Sequence, residues 1–408
     1  MALWSCKSSS PTTANESNQK EDFNGILPVA ASIYHNSDST TQVFLTVKRK
    51  SLLYARKQGS GPFEAEVELK WHLFKLNDLA LTHQDSSTVI FTHAIGEQRD
   101  EFVQFNTALN MPVGNYFIKL TVTDKRRKSG KTISLKVDKT DRANALNFKI
   151  IRHTDGLVMN SELLHIGDSV RIESARNKEK TVLHLYTLNQ EIKLPPAPFS
   201  GSFPEFPALK DAEHNSVITE NGGFNLKINS SLYLISSELL PEKGLSFYGR
   251  EYGFPDVKHK NQLHPPLRYL TTKLEFESMS KARNPKEKVD RFWVDCGGSK
   301  DRARVLIQEY YTRVEISNAE FSTYTEGWRT DRGMIYLVFG DPSKILRTPT
   351  QETWIYGDEN NPSSLRFQFK KLENPWSDNI FVLSRDPLYK THWERMVTSW
   401  RSGRIYTN

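Results

Sequence analysis

Two acidic residues and two arginines in the last third of the chain have side chains that could take part in catalysis. Asp331 is the fifth residue of the string Gly-Trp-Arg-Thr-Asp-Arg-Gly, and Glu352 is the first of Glu-Thr-Trp-Ile-Tyr. In a catalytic interpretation either carboxylate would act as an acid or base, while Arg329 and Arg332 would bind an anionic substrate. If the two carboxylates stood at the separation that glycosidases use, they would indicate a glycan-active protein.

The residue types around these carboxylates favour a structural interpretation instead. Gly327 and Gly333 permit backbone conformations that are closed to other residues. Thr330 and Asp331 can bond nearby amides and fix a turn, and Trp328 is a large side chain for burial. Glycine and tryptophan dominate the string, and no nucleophile or metal-ligand set accompanies it.

The second string supplies the predicted partner of the first. We expect Arg332 to pair with Glu352, and we expect Trp354 and Tyr356 to exclude water from that pair. Every one of these roles is structural. The pattern leaves open whether the two strings are a fold signature or a binding site.

Other combinations that carry chemistry are missing from the sequence. His259 and His264 are not at metal-ligand spacing, and there is no phosphate-binding loop, dinucleotide fingerprint or serine-nucleophile elbow. Cys296 has no nearby histidine and lies in a helical pattern, which favours a buried structural thiol. We therefore predict no enzyme activity, no metal and no cofactor, and we identify no small-molecule substrate.

The composition excludes several classes of protein. Of 408 residues, 37% are hydrophobic and 25% are charged, so the chain can bury real cores and is not a disordered polymer. The 55 basic and 48 acidic residues give a net charge of +7, which is too mild an excess for a dedicated nucleic-acid binder. No apolar run reaches the roughly 18 residues of a membrane-spanning helix.

The first residues resemble a bacterial lipobox. Leu3-Trp4-Ser5-Cys6 places a leucine and a small serine before a cysteine, which would be lipidated and become the mature N-terminus. Only five residues precede Cys6, so we expect the true start to lie further upstream. Residues 1–24 would then be a truncated signal followed by a flexible tether. The alternative is a cytosolic protein with an ordinary N-terminus.

The next two regions have the alternation of β-strands. Residues 25–141 contain runs with a period of two, such as Val67–Leu73 and Tyr116–Val122, separated by turns. The region predicts one immunoglobulin-like β-sandwich, and the similar region 142–270 predicts a second. The basic run at 125–131 is typical of a solvated hairpin turn, with contact to lipid headgroups or a phosphorylated glycan as the alternative.

A proline-rich stretch interrupts the second β region. Five prolines lie between Pro195 and Pro207, a density that suits an extended connection between strands. A docking loop for a partner is the alternative.

Residues 271–408 are predicted to form an α+β domain. Helical spacing covers 286–296 and 301–322, with the Gly297-Gly298 pair between them. Strands are predicted at 334–339, 353–356, 365–369 and 380–383. Trp393, Met396, Val397 and Trp400 mark a final helix by their spacing.

The two strings together resemble the GWxTD domain family. Its members combine Gly-Trp-x-Thr-Asp-Arg-Gly with a later Gly-x-Pro and Glu-x-Trp-x-Tyr, and here these appear at 327–333, 340–342 and 352–356. The resemblance covers roughly Val289 to the end. It departs from the family pattern after Phe292-Trp293. It implies a bacterial protein, often from the Bacteroidetes, that is exported or lipid-anchored and carries β-sandwiches before the motif domain.

These observations lead to two expectations about function. The first is a non-catalytic, outer-membrane lipoprotein, anchored through Cys6, that acts as an interaction or scaffold subunit of an envelope complex. Its partners would be envelope proteins, with an outer-membrane β-barrel or an assembly machine as candidates. The alternative is a glycan-binding or glycan-active envelope protein that uses Asp331 and Glu352.

Overall fold

The computed structural model describes residues 27–56, 61–77, 80–96, 101–159, 164–174, 180–189, 192–230, 232–239, 241–348 and 350–405. The chain forms two compact units. Unit 1 comprises the residues up to 187 together with 213–249, and unit 2 comprises 188–212 together with the residues from 250 onward. Cys6 and the predicted tether lie outside the described residues.

The first part of unit 1 consists of antiparallel strands around one core. The strands are β1 (Val29–His35), β2 (Thr40–Lys48), β3 (Ala55–Arg56), β4 (Phe63–Asn77), β5 (Ala80–Ala94), β6 (Phe102–Asn110), β7 (Asn115–Asp124) and β8 (Ser129–Asp138). One sheet has the order β1-β2-β6, and the other has the order β3-β4-β7-β8 with β5 beside β4. Alternate residues of both sheets, such as Val43, Val67 and Ile118, share a single hydrophobic cluster.

The predicted hairpin at the basic run is confirmed. Strands β7 and β8 pair antiparallel, and residues 125–128 form the turn between them. The buried carboxylate of Asp124 fixes this turn, because it accepts hydrogen bonds from the backbone amides of Arg126 and Arg127 at 2.9 Å each.

The second part of unit 1 contains two further antiparallel sheets. Its strands are β9 (Phe148–Arg152), β10 (Val158–Met159), β11 (Ser169–Ser174), β12 (Val182–Leu188), β13 (Glu213–Ile218), β14 (Gly223–Lys227), β15 (Leu232–Ser236) and β16 (Leu245–Tyr248). Their orders are β10-β9-β11-β14 and β13-β12-β15-β16, and both sheets contribute to one core. The proline-rich stretch connects the paired strands β12 and β13.

Unit 2 combines helices with a small antiparallel sheet. The helices are α1 (Lys273–Ser280), α2 (Pro285–Gly297), α3 (Lys300–Phe321), α4 (Asp331–Phe339) and α5 (Tyr389–Arg401). The sheet has the order β17 (Lys344–Thr348), β18 (Gln351–Tyr356), β19 (Leu365–Lys371) and β20 (Phe381–Leu383). The predicted helix break is confirmed, since Gly298 ends α2 with a left-handed φ of 68°.

One predicted strand is wrong. The run Met334 to Phe339 belongs to α4, which begins after the cap residue Thr330 and ends at Gly340. Every residue of this helix is buried, and the run Met334–Phe339 has no polar face. A short, uniformly apolar run cannot be assigned to helix or strand by periodicity, and tertiary packing decides between them.

The architecture is mostly β with a few helices toward the C-terminus, which is compatible with β-sandwiches followed by an α+β domain. The predicted boundaries 25–141, 142–270 and 271–408 stay a prediction. Among the residues described, no helix combines the length and apolarity needed to cross a membrane.

Candidate functional site

The first string forms a turn that leads into helix α4. Gly327–Arg329 is a single 3-10 turn, and Thr330 follows as the cap of the helix. The Thr330 hydroxyl donates to the Gly327 carbonyl at 2.8 Å and accepts from the Gly333 amide at 3.1 Å. One side chain therefore ties the turn to the first turn of the helix.

The two glycines are needed because backbones approach each other closely. A Cβ on Gly327 would lie 1.7 Å from the carbonyl oxygen of Ser317 in α3. A Cβ on Gly333 would lie 1.9 Å from the carbonyl oxygen of Gly327. No side chain fits at either position. The two glycines therefore allow the backbones of α3, the turn and α4 to pack in direct contact.

Asp331 is buried in a bidentate ion pair. Its Oδ1 accepts from Arg385 Nη2 at 2.5 Å, and its Oδ2 accepts from Arg385 Nη1 at 3.1 Å and from the Leu383 amide at 2.8 Å. Both side chains are at most 3% exposed. Burial raises the pKa of Asp331 above its ordinary value, and the bonds from Arg385 oppose that rise.

The same arginine reaches the proline-rich stretch. Arg385 Nη2 also donates to the carbonyl of Pro196 at 3.0 Å. Close by, Arg329 Nη1 donates to the carbonyl of Ile192 at 3.2 Å. The segment 188–212 is thus bonded to the motif region of its own unit.

Arg332 lies between two phenyl rings. Its guanidinium carbon is 4.3 Å from the ring centre of Phe381 and 5.2 Å from that of Phe321. Its Nη2 donates to the carbonyl and side-chain oxygens of Asn379 at 2.8 and 2.6 Å. Burial lowers the pKa of Arg332 to about 10, and Glu352 partly counteracts this.

Glu352 on β18 is held from three directions. Its Oε1 lies 3.5 Å from Arg332 Nη1 and accepts from Arg347 Nε at 3.2 Å, and its Oε2 accepts from the indole Nε1 of Trp354 at 3.1 Å. The side chain is 5% exposed. The structure therefore brings Arg332 and Glu352 together, but Arg332 comes from a helix and not from a neighbouring strand.

The aromatic residues of the two strings are buried as well. The carbonyl of Trp328 accepts a bond from the Tyr269 hydroxyl at 3.1 Å. Trp354 packs against Phe369 with a ring-centre distance of 4.9 Å. The Tyr356 hydroxyl donates to the Gly340 carbonyl at 2.9 Å, and burial raises the pKa of Tyr356 far above its usual range.

Two important partners are not apparent from the sequence pattern. Arg385 pairs with Asp331 across 54 residues of sequence, and Asn379 accepts from Arg332 across 47. Arg385 lies in an ordinary Ser-Arg-Asp-Pro stretch. Its only sequence signal is an arginine two residues after a predicted strand.

A small cleft borders the turn. Its walls include Pro204, Tyr324, Arg329, Thr330 and Phe381, and Asp331 contributes although only 4% of that residue is exposed. Within the described ranges no three histidine, cysteine or acidic side chains form a group that could hold a metal ion. Besides the engaged Asp331, Lys193 and Glu205 line this cleft, and they form an exposed ion pair with each other at 3.0 Å.

Cys296 has the properties of an unreactive thiol. It lies near the end of α2 and packs against the core of unit 2 while partly buried. Burial raises the pKa of the Cys296 thiol to about 11, so almost no thiolate exists at neutral pH.

Comparison with known proteins identifies one family. No curated protein matches the chain. The family model of the GWxTD domain matches residues 231–402, so the match starts further upstream than Val289 and takes in strands β15 and β16. The glycine turn, the buried Asp331 and the Glu352 cluster all lie within that match. The expected family is therefore confirmed for this part of the chain, which carries a GWxTD domain over residues 231–402.

Proposed function

We propose that this protein is a non-catalytic lipoprotein of a bacterial outer membrane, of the Bacteroidetes type, that acts as an interaction or scaffold subunit of an envelope complex. Two immunoglobulin-like sandwiches would present its docking surfaces, and the GWxTD domain would complete the body. A lipid on Cys6 would hold that body at the membrane through the tether. Another envelope protein would be the partner, and an outer-membrane β-barrel or an assembly machine is the first candidate.

The state of the two motif carboxylates is the observation that carries the proposal. An acid or base must reach the proton that it transfers. Asp331 is bonded to both terminal nitrogens of Arg385, and Glu352 is bonded to Arg347 and Trp354 and faces Arg332. Both are buried. This arrangement favours a role in holding unit 2 together and argues against the glycan-active alternative.

The anchor rests on the lipobox-like string and on the family match. Leu3-Trp4-Ser5-Cys6 carries the pattern of a lipidation site. The GWxTD match lies far from it in sequence, and the export that the family resemblance implies is an independent argument for the anchor. A single acyl chain binds membranes only marginally, so stable anchoring needs the several chains of a bacterial lipoprotein.

Lipid labelling tests the anchor. The protein would be expressed from its native locus beside Cys6→Ala and Cys296→Ala, followed by labelling and membrane fractionation. We expect the label and the outer-membrane location to be lost in Cys6→Ala and kept in Cys296→Ala. Unlabelled, soluble wild-type protein would overturn the anchor.

Purification in mild detergent tests the scaffold role. The tagged protein should bring down stoichiometric envelope partners, and these should persist in Asp331→Asn if that variant folds. A protein that is consistently solitary, or one that cleaves envelope glycans and loses this activity in Glu352→Gln, would reject the proposal.

A further inference from the structure

Strand β5 has an open edge. It pairs along its length with β4, from Ala80 opposite Asn77 to Ala94 opposite Glu64. In the part of the chain that the structure describes, no other strand pairs with β5. A strand of 15 residues therefore presents a row of backbone donors and acceptors to its surroundings.

Most of the described side chains of β5 are exposed, and Asp85 is the one acidic residue of the strand. Residues 81–88 are exposed on both faces of the strand, and Ile90 is 51% exposed. The run Thr88–Thr92 has the residue types of a strong β-former and no charge. Open edges are commonly protected by charged residues, lysine above all. The opposite edge strand, β8, carries Lys131 and Lys136, whereas β5 has no lysine or arginine.

The regular part of β5 extends on both sides of Val89. Its pairing with β4 is irregular between Leu73 and Phe74, which leaves Gln84 as the extra residue. From Asp85 to Ala94 the register is continuous, and Val89 is the middle of the nine residues from Asp85 to His93. A second β5 that pairs antiparallel around Val89 uses this whole segment.

That register also places complementary side chains opposite each other. Asp85 of each copy faces His93 of the other, so no like charges meet, and His93 also bonds the Tyr54 hydroxyl of its own copy at 2.9 Å. Thr88 faces Ile90, which joins a β-branched pair on the outer face. Because the edge is nearly neutral and complements itself, it fits an identical strand better than a strongly charged partner.

We propose that two copies of this chain associate through antiparallel pairing of their β5 strands, centred on Val89, so that β4 and β5 of both copies form one continuous sheet. The interface is isologous, and the open edge of each copy closes that of the other. The proposal does not depend on the lipid anchor or on an envelope partner.

The oligomeric state in solution tests the pairing. The full chain carrying Cys6→Ser would be measured by light scattering after size exclusion, so that no lipid contributes to its size. We expect a dimer, and we expect the double variant Thr88→Lys, Ile90→Lys to be a monomer with an unchanged circular dichroism spectrum. The matched control is Val305→Lys, an exposed apolar position on α3, which should remain a dimer.

Cross-linking tests the register. In a chain without Cys6 and Cys296, Val89→Cys faces itself across the two-fold axis at about 4.5–5.5 Å between Cα atoms, within disulfide range. Thr92→Cys lies about 20 Å from its copy. We expect mild oxidation to give covalent dimers at least tenfold faster for Val89→Cys. Equal rates would refute the register, and a monomeric wild type at all concentrations would refute the dimer.

Discussion

At the scale of single residues, the motif contains a buried carboxylate that is paired with a buried arginine. Asp331 and Arg385 neutralise each other inside the protein, and the Leu383 amide fills a further acceptor position. Such a pair adds little stability relative to an apolar replacement. Removing one partner, however, leaves the other buried as an unpaired charge. The family motif therefore marks a position where substitution is costly.

The first prediction concerns this pair. Asp331→Asn should lower the free energy of unfolding by about 3–5 kcal/mol, because it leaves the Arg385 guanidinium buried without a counter-charge. Urea denaturation would measure the change. The control Asp301→Asn removes an exposed ion pair with Arg304 and should be close to neutral. Similar losses in the two variants would contradict the assigned role.

The second prediction concerns the rate at which the Cys296 thiol is alkylated and how that rate depends on pH. Its raised pKa of about 11 means that the reactive thiolate is scarce at neutral pH. In Cys6→Ala protein, alkylation at pH 7.5 should be roughly a hundredfold slower than that of an ordinary cysteine peptide, and it should rise with pH toward 11. Mass spectrometry would follow the modification. Fast labelling with a midpoint near pH 8.5 would show that the thiol is not buried.

At the scale of elements, the turn 327–329 lies against α3 with no room for a side chain. The third prediction is that Gly327→Ala lowers the free energy of unfolding by about 3 kcal/mol or more, because its Cβ would overlap the Ser317 carbonyl. Gly201→Ala is the control, since nothing lies within 4 Å of its added Cβ. Thermal and urea unfolding would compare the two variants, and equal stabilities would exclude the close packing.

Some features of these elements can be predicted from the sequence, and others cannot. The pairing of Arg332 with Glu352 and the break after α2 could be predicted, because glycine and charge leave local signals. Helix α4 could not, since its run Met334–Phe339 is apolar on all sides. The motif marks Asp331 as important, but no local pattern marks Arg385, because a contact across 54 residues depends on how β20 packs beside α4.

At the scale of the whole molecule, unit 2 is assembled from two separate parts of the chain. Leu194 packs against its core, and the carbonyls of Ile192, Pro196 and Pro198 accept bonds from residues beyond 320. The segment 188–212 is therefore a structural part of the unit. The density of prolines predicts an extended connection within the preceding β region, and strands β12 and β13 on either side do pair.

The fourth prediction follows from this assembly. A fragment of residues 250–408 should lack cooperative unfolding and a native near-ultraviolet circular dichroism spectrum. Adding a peptide of residues 188–212 should restore both in part, and a peptide of the same composition in scrambled order should not. A fragment that folds as stably alone as with the peptide would show that the segment is dispensable.

The bond between Arg385 and Pro196 has a consequence for biosynthesis. The two residues are 189 positions apart in the chain. At about 5–20 residues per second, the ribosome makes the arginine about 10–40 s after the proline. During that interval the nascent segment 188–212 has no unit to join, although the strands that flank it can already pair. Unit 2 can therefore be completed only after this interval, and until then a chaperone could bind segment 188–212.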